Sequence, residues 1–333
     1  MNMMDTMGSA GASDIVCRTF KHQVGGHKCI LQLSENLICK PCEESERIFY
    51  NNVPELLKPF VPFYRGEVDV RCVTKGNTTT LHAFVPLSVL NSHDTSSKNG
   101  YHDRDNDDDD DDWSKSRLTH HIQSGSLWNN KDSERFLVLD NLIADYDKPC
   151  ALDIKIGRFY HGQCDDDQKR LVLERKNNNS TSRTLGFRLC GMQVCNQETG
   201  KMNKYNKHYG MSLVDNQVVN VLKNFFACCS KSDIQDLTTK LRNIHSAIIG
   251  QSDFVFLTAS LFFYYDYKID ARIDTSGTRV HTGHSSCPSV RLIDMEKAVP
   301  AEDRLLHSIP QHIKDNIHFG MTNLATVIDS FDT

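Results

Sequence analysis

The stretch Pro149-Cys150-Ala151-Leu152-Asp153-Ile154-Lys155-Ile156-Gly157 decides how this chain is read. Leu152, Ile154 and Ile156 alternate with Asp153 and Lys155, the period of a strand with one face in a core and the other in water. The aliphatic face packs inward, and the opposite face carries a carboxylate and an ammonium side by side. Pro149 and Gly157 bound the strand. An acid–base pair on one strand face is most often a solvated edge, so its meaning depends on what the rest of the chain supplies.

Downstream, the chain becomes larger and more helical. Ile234, Leu237, Leu241, Ile244 and Ile248 recur at helical spacing, which predicts a helix over Ser232 to Ile249 with Ser232 as N-cap and Gly250 just past the end. Asp215 opens another helix, with Val218, Val221, Leu222 and Phe225 on one stripe. Strands are expected at Leu189 to Asn196, Phe254 to Tyr265 (whole or broken) and Val290 to Met295.

Upstream, Lys28 to Leu33 and Asn36 to Lys40 flank Ser34-Glu35 and read as a hairpin. Pro41, followed by Glu43, Glu44 and Glu46, reads as a helix start with acids placed to suit the dipole. Val68, Val70 and Cys72 alternate as a strand, and Phe136 to Ile143 is apolar enough for a buried one. The fold class is therefore α+β. A small β-rich lobe over 17–139 meets a larger α+β lobe over 140–333 at a hinge near Leu139-Asp140-Asn141. Residues 1–16 read as unstructured. Residues 91–132 read as a disordered insertion, polar and poor in aliphatic side chains.

The length of 333 residues allows a real core, and 39% hydrophobic with 24% charged residues is ordinary for a globular protein. The longest apolar run, Phe254 to Tyr265, is far short of the roughly 20 residues needed to span a bilayer. Met1 to Asp14 lacks the basic-then-apolar order of a secretory signal. Twelve cysteines are scattered through the chain, which suits free thiols in a reducing compartment, cytoplasmic and/or nuclear. Cys39 and Cys42 form a lone C-x-x-C, and His281, His284 and Cys287 sit in a polar stretch. The first has no second pair at zinc-finger spacing, and the second, spaced three apart, is at most a minor metal candidate.

The net charge of -5 hides a contrast. Asp103 to Asp112 holds eight Asp and one Arg, and the remainder is mildly basic. Between Gln168 and His208, Lys169, Arg170, Arg175, Lys176, Arg183, Arg188, Lys201, Lys204 and Lys207 face only Glu174 and Glu198. That belt follows the opening strand and suits a polyanion. Nucleic acid is a weaker explanation, because the aromatic and basic interleaving of RNA readers is missing. The chain also lacks a P-loop, G-x-S-x-G and H-E-x-x-H.

The spelling P-x-x-x-D-x-K-x-G resembles the signature of the inositol polyphosphate kinases, which transfer the ATP γ-phosphate to phosphorylated inositols. Further segments resemble the same family: His22 to His27, Cys39-Lys40-Pro41 with Glu46, Arg158 to Gly162, Leu185 to Val194, Lys204 to Gly210, and Val290-Arg291-Leu292-Ile293-Asp294. The likeness covers about residues 17 to 330 outside the insertion and is closest to the inositol hexakisphosphate kinase branch.

The resemblance implies a two-lobed, protein-kinase-like fold and a set of roles. Lys40 would touch the ATP phosphates with Glu46 holding it, and Gly25 and Gly26 would let the backbone approach them. Asp140, where the family more often has Glu, would accept from the adenine amine. Asp153 would hold the ribose, with a general-base role as the competing assignment. Lys155 would bridge donor and acceptor, and Asp294 would hold Mg²⁺. Lys155, Lys169, Arg170, Lys204 and Lys207 would bind the acceptor. Thr258-Ala259-Ser260-Leu261 resembles another family element, with Ala259 as a departure. Met295 stands where the family usually has Phe. The implied activity is phosphorylation of inositol hexakisphosphate to a diphosphoinositol. The alternatives are a multikinase acting on lower inositol phosphates, or a pseudokinase that binds inositol phosphates as a scaffold. Oligomeric state is left open.

Overall fold

Six short strands in the first half of the chain close into a barrel. The computed structural model describes residues 12–26, 28–76, 78–90, 133–158, 167–197, 199–273 and 279–332. The insertion expected over 91–132 lies outside them. The barrel strands are β1 (Ala12–Thr19), β2 (Leu31–Gln32), β3 (Leu37–Pro41), β4 (Tyr64–Lys75), β5 (Thr78–Pro86) and β6 (Glu134–Asp140), in the order β1-β2-β3-β6-β4-β5. Closure leaves no unpaired edge. Inward-facing Val68, Val70, Leu81, Ala83, Val85, Phe136 and Val138 fill it together with the thiols of Cys17, Cys29 and Cys39. Burial pushes the Cys17 thiol up to about 12, which keeps it protonated and inert.

The expected hairpin forms, with Leu31 opposite Cys39 and Gln32 opposite Ile38. Two boundaries differ from expectation. Strand β1 begins at Ala12, inside the stretch read as unstructured, because Ala12 to Cys17 pair with β5 along their length. The chain also divides less simply than 17–139 and 140–333. Val24–Gly26 and Glu43–Pro62 cluster with Ile143–Thr333, and the smaller unit runs on to Leu142. Asp140, expected at a hinge, is the last residue of β6.

The larger unit is built on β7 (Pro149–Ile156), β8 (Phe187–Cys195), β9 (Met202–Tyr205), β11 (Ala259–Ile273), β12 (Arg279–Ser285) and β13 (Ser289–Ile293). Strand β11 pairs β7, β12 and β13 along different parts of its length. The stretch Phe254 to Tyr265, which the sequence leaves whole or broken, is broken: β10 (Phe254–Phe256) leaves to pair with β14 (Ala298–Pro300). The longer helices are α1 (Glu44–Asn51), α2 (Asp167–Asn178), α3 (Lys207–Ser212), α4 (Asp215–Phe225), α5 (Lys231–Gly250) and α6 (Asn316–Asp329).

Ile234, Leu237, Leu241, Ile244 and Ile248 are all buried, as their spacing requires. The cap is one residue pair earlier than expected. Ser230 accepts from the Asp233 amide, Asp233 returns a bond to the Ser230 amide, and Gly250 is still helical. Helices α5 and α6 pack together, and α6 lies on the aliphatic face of β7, where its Gly320 meets Ile156. Among the described residues no helix is long and apolar enough to cross a membrane.

Candidate active site

Strand β7 is central, with β8 on one side and β11 on the other. Register then fixes what surrounds its polar face. Lys155 stands opposite Arg188 on β8 and Ser260 on β11, and Ser260 stands opposite Ile293 on β13. Cross-strand partners share a face, so Arg188, Lys155 and Ser260 form one row. Asp153 lies one step along the same face, opposite Gly191 and Phe262. Between Asp153 and Ile154 the pairing with β8 slips by one residue, leaving Cys190 as the bulged position.

Asp294 follows Ile293 directly and turns the chain with φ 58° and ψ 66°, the left-handed region. It is the one non-glycine residue with positive φ among those described. Aspartate tolerates this conformation better than most residues, at a cost of order 1 kcal/mol. Helix α1 holds the turn. Buried Glu46 accepts from the Met295 amide through Oε1 at 3.2 Å, and Ser45 Oγ donates to Glu296 O at 2.8 Å.

On the polar face of β7 Lys155 is half-buried, as the alternation suggests, but Asp153 is not wet. Asp153 is only 4% exposed. The segment Val24–Gly26 lies across it so closely that a Cβ on Gly25 would sit 1.8 Å from Asp153 Oδ2, and one on Gly191 would sit 1.7 Å from Val24 O. The glycines therefore permit contact with the Asp153 carboxylate and with β8, a role sequence reasoning missed when it aimed Gly25 at phosphates.

Burial pushes the Asp153 carboxyl up from 3.8 to about 7, and the nearby Asp294 carboxylate adds to the shift. Lys155, the Ser260 hydroxyl and Arg188 oppose it. The Ser260 hydroxyl is close enough to favour the charged carboxylate, yet no hydrogen bond of ordinary length and angle joins Ser260 Oγ or Asp153 Oδ1 to a described residue. Burial lowers the Arg188 guanidinium, which donates to Ser182 Oγ at 2.9 Å. Burial, with Asp153 beside it, raises the Cys190 thiol to about 11. Two close carboxylates and two orphaned buried oxygens suit a small hard cation that draws its other ligands from phosphate and water.

The structure therefore brings Asp153, Lys155 and Asp294 together and adds Arg188, Ser260, Cys190 and Gly25. Sequence reasoning counted Arg188 as one cation in a belt, and only its register against Lys155 singles it out. Lys204 on β9 stands opposite Gln193 on β8, two strands from Ala151 on the same face. Lys207 opens α3, whose Asn206 cap accepts from the His208 and Tyr209 amides. Lys169 and Arg170 fall on α2, and their side chains lie outside what is described. Lys40, on β3, and Asp140 belong to the smaller unit, and Glu46 belongs to the larger. Asp140 is gripped by Arg65 through two bonds.

The family model for inositol polyphosphate kinase matches residues 136–329. The chain belongs to the inositol polyphosphate kinase family. The match takes in Asp140, Asp153, Lys155, Lys204, Lys207 and Asp294, and leaves Lys40 and Glu46 upstream of it. Inositol hexakisphosphate kinase 1 of Mus musculus is 25% identical, over 96% of this chain and 94% of its own. Inositol hexakisphosphate kinase 3 of Homo sapiens is 26% identical over 98% of both. The inositol phosphate multikinase Ipk2 of S. cerevisiae, solved in complex with ADP and Mn²⁺, superposes with a TM-score of 0.55 at 19% identity, covering 89% of this chain and 99% of that one. That likeness establishes the kinase fold of the family for this chain.

Proposed function

We propose that this kinase transfers the γ-phosphoryl group of ATP to inositol hexakisphosphate, giving a diphosphoinositol product, within a two-lobed, protein-kinase-like arrangement. The observation that carries the reading is the convergence of Lys155, Asp153, Asp294 and Arg188 on one face of a central strand. The inositol hexakisphosphate kinases to which the chain is similar along nearly its whole length supply the acceptor.

Phosphoryl transfer needs positioning and charge neutralisation more than covalent chemistry from the protein. Lys155 supplies a positive charge where the terminal phosphate meets the acceptor. Asp153, 4% exposed, is too buried to serve as a ribose ligand and instead adds negative charge on the face that carries the Lys155 ammonium. Asp294, with Asp153 and Ser260 beside it, would hold a divalent cation, Mg²⁺, which when bound would neutralise charge on the donor phosphates. Lys169, Arg170, Lys204 and Lys207 take the acceptor phosphates. Lys40 and Asp140 keep the nucleotide roles that the resemblance gives them. An acceptor that is itself a phosphate is largely deprotonated at neutral pH, with a second pKa of about 6, so no base is required.

One observation favours a second reading. A carboxyl near 7 is matched to removing a proton from a hydroxyl, the acceptor in lower inositol phosphates. Purified protein incubated with ATP, Mg²⁺ and each acceptor in turn separates the two. A product more anionic than the hexakisphosphate supports the leading reading. Turnover confined to acceptors with free hydroxyls supports the second. A scaffold without turnover fits poorly with a chain in which each of the expected charged positions is filled.

A further inference from the structure

The loop between β1 and β2 carries Val24–Gly26 onto the active strand, and one side chain closes its root. Pairing of the two strands continues past their ends to Phe20, whose amide donates to Ile30 O at 3.0 Å. The Gln23 amide then turns back to Phe20 O at 3.2 Å. Farther out, the two arms are tied through the Gln23 side chain. Its Nε2 donates to Lys28 O at 2.8 Å, and the Ile30 amide donates to its Oε1 at 3.0 Å. A primary amide offers the same donor and acceptor as a backbone peptide, so Gln23 adds one more rung to the hairpin. The rung is built into the fold, since Gln23 is 5% exposed.

Val24–Gly26 follow directly. Gly26, at φ 78°, turns the chain back toward Lys28. Contact with the sheet below leaves no slack: a Cβ on Gly25 would sit 1.8 Å from Asp153 Oδ2, and one on Gly191 would sit 1.7 Å from Val24 O. Contact this close depends on where the tip springs from. Without the Gln23 side chain, the next tie between the arms among the described residues is the bond from Phe20 to Ile30. The closed loop is then longer and its ordered state costs more entropy. The tip can lift, and water can reach the Asp153 carboxylate beneath it.

We propose that Gln23 is a positioning residue for phosphoryl transfer: by bridging the two arms of the β1–β2 loop, it holds Val24–Gly26 down on Asp153 and Gly191 and keeps the polar face of β7 in its working shape. This rests on the reading of that face as the site of transfer.

The test uses the full chain with Gln23→Met, which keeps the bulk and loses both bonds, and Gln23→Glu, which keeps the acceptor for the Ile30 amide and sets an oxygen against Lys28 O. Amide hydrogen exchange, steady-state transfer to inositol hexakisphosphate and thermal unfolding are measured for each. In Gln23→Met, exchange over Val24–Gly26 should quicken by ~10-fold while β4 and β5 exchange as in the parent. Its kcat should fall by ~10-fold, with KM for inositol hexakisphosphate within about twofold of the parent. Combined with Gly25→Ala, the loss in kcat should stay near that of Gly25→Ala alone, because both changes disturb one contact. Gln23→Glu should likewise quicken exchange at the tip and lower kcat, and it carries the test if the methionine variant fails to fold. Unchanged exchange over Val24–Gly26 overturns the proposal. So does a kcat within about twofold of the parent, or losses that simply multiply in the double variant. A parent that transfers phosphate to no inositol phosphate refutes the underlying reading instead, and is told apart because hydrogen exchange does not depend on turnover.

Discussion

Adding one methyl group at Gly25 should cripple this enzyme while leaving its fold largely in place. A Cβ there would meet Asp153 Oδ2 at 1.8 Å, Cγ at 2.8 Å and Cβ at 3.1 Å. Ordinary carbon contacts begin near 3.5 Å, so something must give by about 1.5 Å. The carboxylate cannot swing freely, because it is buried beneath the Val24–Gly26 segment and shares its face with Lys155 and Arg188. Overpacking of this kind costs about 1–3 kcal/mol in stability. A displacement of ~1 Å at the reacting centre costs on the order of 100-fold in rate. Gly25→Ala should therefore lose ~100-fold in kcat and a few degrees in unfolding temperature. Gly76→Ala is the control, since its φ is 61° with nothing within 4 Å. It should lose ~1 kcal/mol of stability to backbone strain and keep its turnover. The assay is steady-state phosphoryl transfer beside thermal unfolding. A Gly25→Ala enzyme within twofold of parent kcat would refute the claim that Asp153 is fixed by contact with that backbone.

Lys155→Ala and Asp294→Asn should each lower kcat by ~10²–10³ or more, with circular dichroism and unfolding midpoints near those of the parent, since asparagine tolerates the left-handed turn at 294. Glu46→Ala should orphan the buried Met295 amide and cost about 1–3 kcal/mol in urea unfolding, whereas Glu46→Gln keeps an acceptor and should lose much less. Asp153 binds its proton more tightly folded than unfolded. With no divalent cation present, stability should therefore fall as pH rises from about 4 to about 7, by up to ~4 kcal/mol, and level off above that. Saturating Mg²⁺ should flatten the slope, as read by denaturant titration at each pH.

The strand that opened the sequence and the α5 stripe were legible because each is local: a period of two and a period of 3.6. Closure of the site was not. Nothing within His22 to His27 tells that Gly25 will lie on a carboxylate far along the chain, and nothing in the regular spelling of β8 announces a bulge at Cys190. The alternation around Asp153 gave the right face and the wrong solvation, because a strand flanked on both sides and covered by a loop shows the same period as one facing water. Nothing in the spelling of α1 tells that Glu46, placed beside Lys40 by the pattern of kinases, also accepts from the turn after Asp294, a contact set by α1 packing.

What leaves the enzyme decides whether Lys155 directs phosphoryl transfer onto a phosphate. Phosphorus NMR of a reaction containing ATP, Mg²⁺ and inositol hexakisphosphate should show coupled diphosphate resonances growing as ATP becomes ADP, and none with Lys155→Ala. ATP consumed with only inorganic phosphate or new monoester signals appearing, or diphosphate formed equally well without Lys155, would contradict it.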